Sequence, residues 1–323
     1  MRSSTFLYAL PLAALAVSAA QVNPRSHKSR FHRRSSPPLP QGNTPGPVLL
    51  RSFAQSQGLA YVQGDNTAVM TVDNYSDLSE GENRNSVRIQ SKTTISTGLV
   101  IADIFDMPHG CSVWPSLWQV GPNWPAGGEI DIIEGVNNLQ LNQMTVHSSE
   151  GCTLDKNPPA TTVNNTTGKV EAFTSNIIAT GCATTATSNA GCAFQDPSTQ
   201  SYGTGFNDIA GGVFASLVQD SGIQIWRFPR YAIPSDITSQ NPDPTTWGAP
   251  SAYWSSSSCD ISSHFYNMNV VFDITLCGDW AGSAYSQTCG GSKGGASSCA
   301  AQVTQASNYK YASWKINYVA IYQ

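Results

Sequence analysis

The chain has 323 residues, enough for one large domain or two ordinary ones, and only 12% of them are charged. The formal net charge of −4 gives no basic surface for nucleic acid. Sparse charge with plentiful Gly, Ser, Thr and Asn argues against a helical protein and for a β-rich, turn-rich secreted one. At the start, Arg2 precedes an apolar run from Phe6 to Val17, and Ser18-Ala19-Ala20 follows it. That order predicts a secretory signal peptide over residues 1–20. The apolar run is too short for a spanning helix, and no later stretch reaches spanning length, so no membrane anchor is expected. Residues 21–47 carry five Lys and Arg, no acids and six prolines. Such a segment cannot bury a core and is expected to be a disordered basic pro-segment or tail. Arg33-Arg34 offers a dibasic site for its removal, and the alternative is an uncut tail. Losing residues 1–34 would remove six basic residues and move the formal charge from −4 to −10.

From Phe53 onward short apolar runs recur between turn signals. Ala68–Val72, Ser86–Ile89, Thr97–Ile101, Ser112–Val120, Gln143–Val146, Val213–Val218, Gly222–Trp226, Met268–Ile274 and Trp314–Ile321 all read as strands. No long helical periodicity and no internal repeat appear. Many short strands joined by Gly- and Pro-rich turns imply an all-β sandwich or barrel, with residues 48–323 as a single domain. All eight cysteines lie in this body, and an even number behind a signal peptide implies disulfides, with 105 possible pairings. No C-x-x-C spacing suggests a metal. Asn74, Asn164 and Asn165 head glycosylation triplets.

The stretch Gly128-Glu129-Ile130-Asp131-Ile132-Ile133-Glu134-Gly135 carries the chemistry. Side chains alternate across a strand, so Glu129 and Asp131 share a face. Plain alternation would send Glu134 to the opposite face, among isoleucines. One extra residue around Ile132-Ile133, a β-bulge, would bring it back beside the other acids. Hydrolysis of a glycosidic bond with retention needs two carboxyls about 5–5.5 Å apart, one as nucleophile and one as proton donor. Glu129 and Glu134 are the candidates, with Asp131 between them. A solvated strand face and a carboxylate metal site are the competing readings. Crowded like charges weigh against the first, and the strand setting against the second, since oxygen-ligand sites are usually built from loops.

This motif, followed by Val136-Asn137, resembles the active-site signature of glycoside hydrolase family 16, most closely its fungal endo-1,3(4)-β-glucanase (laminarinase-like) branch. The similarity runs through Ser86-Val87-Arg88-Ile89, Trp114-Pro115-Ser116-Leu117-Trp118 and Cys277-Gly278-Asp279-Trp280-Ala281-Gly282. It implies a lectin-like (concanavalin A-type) jelly roll of two antiparallel sheets with substrate in the concave one. It makes Glu129 the nucleophile, Asp131 its orienting neighbour and Glu134 the acid/base. It also favours Trp118, Trp124 and Trp280 as sugar-stacking residues, His147 as a partner of Asp131 or the departing sugar, and Asn207 and Arg230 as further binding residues. Trp114 shares the face of Trp118 in the predicted strand. The expected partner is a β-1,3- or mixed β-1,3/1,4-glucan, with no nucleic acid, membrane, cofactor or metal, and with the chain a monomer. A transglycosylase on the same site and a non-catalytic lectin are the rivals; a lectin would need the aromatics without the carboxyl pair.

Overall fold

Sixteen strands form from the alternating runs, in a computed structural model that describes residues 51–323 apart from 161 and 164–167. The expected signal peptide, the basic segment and the candidate acceptors Asn164 and Asn165 lie outside the described residues. In chain order the strands are β1 (Ala60–Val62), β2 (Ala68–Thr71), β3 (Arg88–Ile95), β4 (Gly98–Asp106), β5 (Val113–Val120), β6 (Glu129–Glu134), β7 (Gln143–His147) and β8 (Thr162–Val163). They continue as β9 (Val170–Glu171), β10 (Asn176–Ala179), β11 (Cys192–Gln195), β12 (Gly212–Gln219), β13 (Gly222–Pro229), β14 (Ala252–Ser255), β15 (Met268–Leu276) and β16 (Ser313–Tyr322).

Two seven-stranded antiparallel sheets result, ordered β1-β2-β16-β4-β12-β13-β14 and β10-β11-β7-β6-β5-β15-β3. Neighbours in a sheet are often far apart in sequence. The last strand, β16, inserts between β2 and β4, and β15 lies between β5 and β3. This is the expected jelly-roll sandwich. Its main core is one cluster between the sheets, containing Ile104 and Phe214 from one and Leu117, Ile130, Ile133, Met144 and Phe272 from the other. A second apolar cluster, with Trp226 and Trp247 packed edge to face at 5.3 Å, covers the outer side of the first sheet.

Helices among the described residues are single turns of at most six residues, none able to cross a membrane. All eight cysteines are paired: Cys111–Cys289, Cys152–Cys259, Cys182–Cys192 and Cys277–Cys299. Two of these bonds, Cys111–Cys289 and Cys277–Cys299, tie down the long segment after β15. Disulfides that close long loops are the ones expected to restrict the unfolded chain most.

Candidate active site

The second sheet presents its open face as a cleft of about 640 Å³, and β6 lies at its centre. On the β5 side, Asp131 pairs with Trp118 and Ile133 with Leu117, leaving Ile132 without a partner. On the β7 side, Asp131 pairs with Thr145 and Glu134 with Gln143, which sets two residues, Ile132 and Ile133, against the single Met144. Ile132 is therefore the extra residue of a bulge. Ile130, Ile132 and Ile133 are all buried in the core, while Glu129, Asp131 and Glu134 line the cleft. Energetics explain the choice. A regular strand would bury the Glu134 carboxylate among apolar side chains at a cost of several kcal/mol. The bulge buries both adjacent isoleucines instead, each worth about 1.5–3 kcal/mol.

The glycines flanking the motif are there for room. Gly128 has φ +76°, and a Cβ on it would sit 2.4 Å from the His264 carbonyl oxygen. A Cβ on Gly135 would meet the ring of the fully buried Tyr202 at 2.7 Å.

Glu134 accepts a hydrogen bond from Trp114 Nε1 at 2.9 Å, with Ser116 Oγ at 3.4 Å from the same oxygen. Burial pushes its pKa well above the usual carboxylate value, and the charge of Asp131 adds to that; the Trp114 bond and His147 pull the other way but lose. Glu134 thus keeps its proton far more readily than a free glutamate. His147 approaches Asp131 with Nε2 3.3 Å from Oδ2. Burial favours the neutral imidazole, yet the hydrogen bond and charge of Asp131, backed by Glu129 and Glu134, push its pKa up to about 9. The contact with Asp131 therefore favours the imidazolium form of His147. One ligand atom from each of Glu129, Asp131 and His147 falls within 4.8 Å of the others, so the charged cluster is tight.

Trp114, Trp118, Trp124 and Trp280 all line the cleft. Trp114 and Trp280 pack edge to face at 5.8 Å, so one indole serves both Glu134 and the aromatic wall. Trp118 is 4% exposed, its Nε1 donating to Asp273 Oδ2 at 3.3 Å and its ring covered by the Arg88 guanidinium at 4.6 Å. Only an edge of Trp118 can meet a ligand. Trp226, Trp247, Trp254 and Trp314 are buried in the two cores. The turn carrying Trp280 is positioned by Asn137, at φ +58°, whose side chain bonds both Ser112 N (2.7 Å) and Ala281 O (2.9 Å).

Two expected binding residues are elsewhere. Asn207 accepts from Met107 N at 2.9 Å and donates to Met107 O at 3.0 Å, which occupies its amide in stitching the helical turn Gly203–Asp208 to the end of β4. Arg230 bonds Asp103 Oδ1 at 2.7 Å, Ile104 O at 2.8 Å and Ala210 O at 2.9 Å. Neither is among the residues lining this cleft; with these bonds both clamp the first sheet. Conversely, Arg88, Asp273 and Asn189 line the cleft without having been singled out. Asp273 and Arg88 were detectable in principle as charges inside apolar strands, since they face each other in register on β15 and β3. Asn189, in the Cys182–Cys192 loop, carried no signal.

Comparison with known proteins agrees with this architecture. The family model described as "XgeA-like, catalytic GH16 domain" matches residues 42–322. A probable glycosidase of Schizosaccharomyces pombe is 38% identical over 85% of the chain, and an endo-1,3(4)-β-glucanase of Arthroderma benhamiae 37% identical over 85%. The chain covers only 62% and 58% of those two proteins. Laminarinase 16A from Phanerochaete chrysosporium, solved with 6-O-glucosyl-laminaritriose in donor and acceptor sites, superposes with a TM-score of 0.77 at 34% identity, over 86% of this chain and 90% of that one. A structure described as an elongating family 16 β-1,3-glucosyltransferase gives 0.75 at 37% identity, over 86% and 90%. With a family model spanning nearly the whole described body and solved relatives matched over nine-tenths of their length, the chain belongs to glycoside hydrolase family 16.

Proposed function

We propose that this protein is a secreted, retaining endo-β-glucanase acting on β-1,3- or mixed β-1,3/1,4-glucan, with residues 48–323 as one catalytic domain. The observation that carries the reading is the bulge at Ile132, which brings Glu129, Asp131 and a proton-retaining Glu134 onto one cleft-facing surface. In the first step the Glu129 carboxylate attacks the anomeric carbon as the glycosidic bond breaks, and the leaving oxygen takes the proton of Glu134. In the second step Glu134 accepts a proton from water while the water oxygen displaces Glu129. Asp131, charged and held by His147, keeps Glu129 oriented and Glu134 protonated. The indoles of Trp124 and Trp280 offer faces on which sugar rings stack. The curated relatives named endo-1,3(4)-β-glucanase and the glucan-bound laminarinase support the substrate class. Four disulfides fit an oxidising, extracytoplasmic setting.

Proton NMR of a laminarin digest tests the mechanism. The β-anomer is expected first, before mutarotation. An α-product would require inversion, for which the carboxyls would have to stand about 6.5–9.5 Å apart, and would overturn double displacement.

Transglycosylation on the same site is the second reading, favoured by the likeness to the structure described as an elongating glucosyltransferase. Products longer than the substrate, seen by mass, would identify it. For Trp280, replacement by Ala is expected to weaken binding of a laminari-oligosaccharide about tenfold with little change in melting temperature. Equal losses of stability and affinity would make it a packing residue instead.

A further inference from the structure

A bulge breaks a ladder, and the backbone groups it strands must find other partners. Here one side chain supplies both. Asn142, fully buried just ahead of β7, donates from Nδ2 to Ile132 O at 2.9 Å and accepts at Oδ1 from Glu134 N at 3.0 Å. Its own backbone is anchored on both sides: its N–H donates to Ser201 Oγ at 2.9 Å, and its carbonyl accepts from Asp196 N at 3.0 Å. We infer that Asn142 is a positioning residue for the acid/base step, fixing the bulge so that the Glu134 carboxyl points at the leaving oxygen.

The geometry explains why an amide is needed. Ile132 O and Glu134 N are an acceptor and a donor two residues apart on one edge of β6. Only a group carrying both a donor and an acceptor in one plane closes them together. The neighbouring Gly135 is pressed on the ring of Tyr202, which follows Ser201 directly, so the segment that anchors Asn142 also supports the residue after Glu134. Without the amide, two buried backbone groups lose their partners, and the strand can relax toward regular pairing. The carboxyl then moves from its place beside Trp114. A displacement of about 1 Å at a reacting group can cost about 100-fold in rate.

This inference rests on the proposed roles of Glu129 and Glu134, and the experiment separates the two. Laminarin has a poor leaving group that needs a proton. A 2,4-dinitrophenyl β-laminaribioside has a leaving group that departs without one. In Glu134→Gln, laminarin turnover should vanish while the dinitrophenolate burst persists. Azide should restore turnover by attacking the anomeric carbon and displacing Glu129, giving a β-glycosyl azide with no proton to be moved. If Glu134→Gln lacks this signature, the acid/base reading itself fails.

Asn142→Ala is expected to share the signature in weaker form. The kcat on laminarin should fall about 100-fold with KM within about twofold, while the aryl-glycoside burst stays within about threefold of the parent. Azide should raise its aryl-glycoside turnover. If Asn142→Ala does not fold, Asn142→Asp, which keeps the acceptor for Glu134 N–H, is measured in the same way. Parallel losses on both substrates, unchanged activity on both, or failure of both variants to fold would overturn the inference while leaving the roles of the acids untouched.

Discussion

Replacing Glu129 by Gln is expected to lower glucan turnover by about 10⁴-fold or more, because removing a covalent nucleophile leaves only binding and electrostatic assistance. The fold should survive. Glu129 opens β6 at the cleft wall with partial exposure, pairing in register with His147 through backbone. A neutral isostere there also relieves repulsion within a cluster of three acids. The melting temperature should therefore hold or rise slightly, and circular dichroism should be unchanged. A purified variant that keeps more than a few per cent of parental turnover would remove Glu129 as the nucleophile. A variant that loses activity and structure together would show that the residue is needed for folding, and the role would have to be tested again in Glu129→Asp.

The second large effect is on stability against pH. The folded state raises the pKa of His147 from about 6.5 to about 9. A histidine whose pKa rises on folding stabilises fully below its unfolded value and loses that contribution as pH climbs through its folded value. The window is therefore pH 6.5 to 9, with stability falling toward the alkaline side. The shift corresponds to about 3 kcal/mol. Glu134 acts in the same direction. Its raised pKa means that the fold resists ionising it, so alkaline pH again favours the unfolded chain. The two contributions separate in a Glu134→Gln background, where that carboxyl no longer titrates. Denaturant melts at pH 6 and pH 9.5 should then show a larger loss with His147 present than in the added His147→Gln variant. Equal losses would mean that the imidazolium–Asp131 contact contributes nothing to the fold.

Much of this site was legible from the chain because its logic is local. Three acids and three isoleucines in six residues admit one arrangement that keeps every charge out of the core, and it needs an extra residue near Ile132-Ile133. The observed bulge at Ile132 follows from face alternation and the cost of burying a carboxylate. The long central strands were legible for a similar reason, since apolar alternation survives wherever a sheet face is buried. The short strands β1, β8, β9, β10, β11 and β14 were missed. The outer part of the edge strand β3 was missed as well, because Lys92-Thr93-Thr94 is exposed and carries no apolar pattern.

Where partners are remote in sequence, local pattern is silent. Asn207 and Arg230 have the residue types of sugar-binding groups, yet the partners that claim them, Met107 and Ile104, lie 100 and 126 positions away. Periodicity placed Trp114 and Trp118 on one face of β5 but could not say that the face is the cleft. Packing decided it, sending Trp114 to Glu134 and burying Trp314 under β15. Eight cysteines allow many pairings, and only the chain path brings Cys111 within bonding reach of Cys289, 178 residues on. The clamp on the bulge lies nearer, 8 and 10 positions from its partners, but is equally unmarked. Asn142 in the sequence is one loop asparagine among many, and its role exists only because the hairpin returns it to the gap that Ile132 opens. The sequence by itself determined which face each acid takes, since face choice depends on neighbours one or two residues away. The tertiary structure decided what each face meets, since that depends on how the chain path brings strands together, from 20 positions for Trp114 and Glu134 to 155 for Trp118 and Asp273.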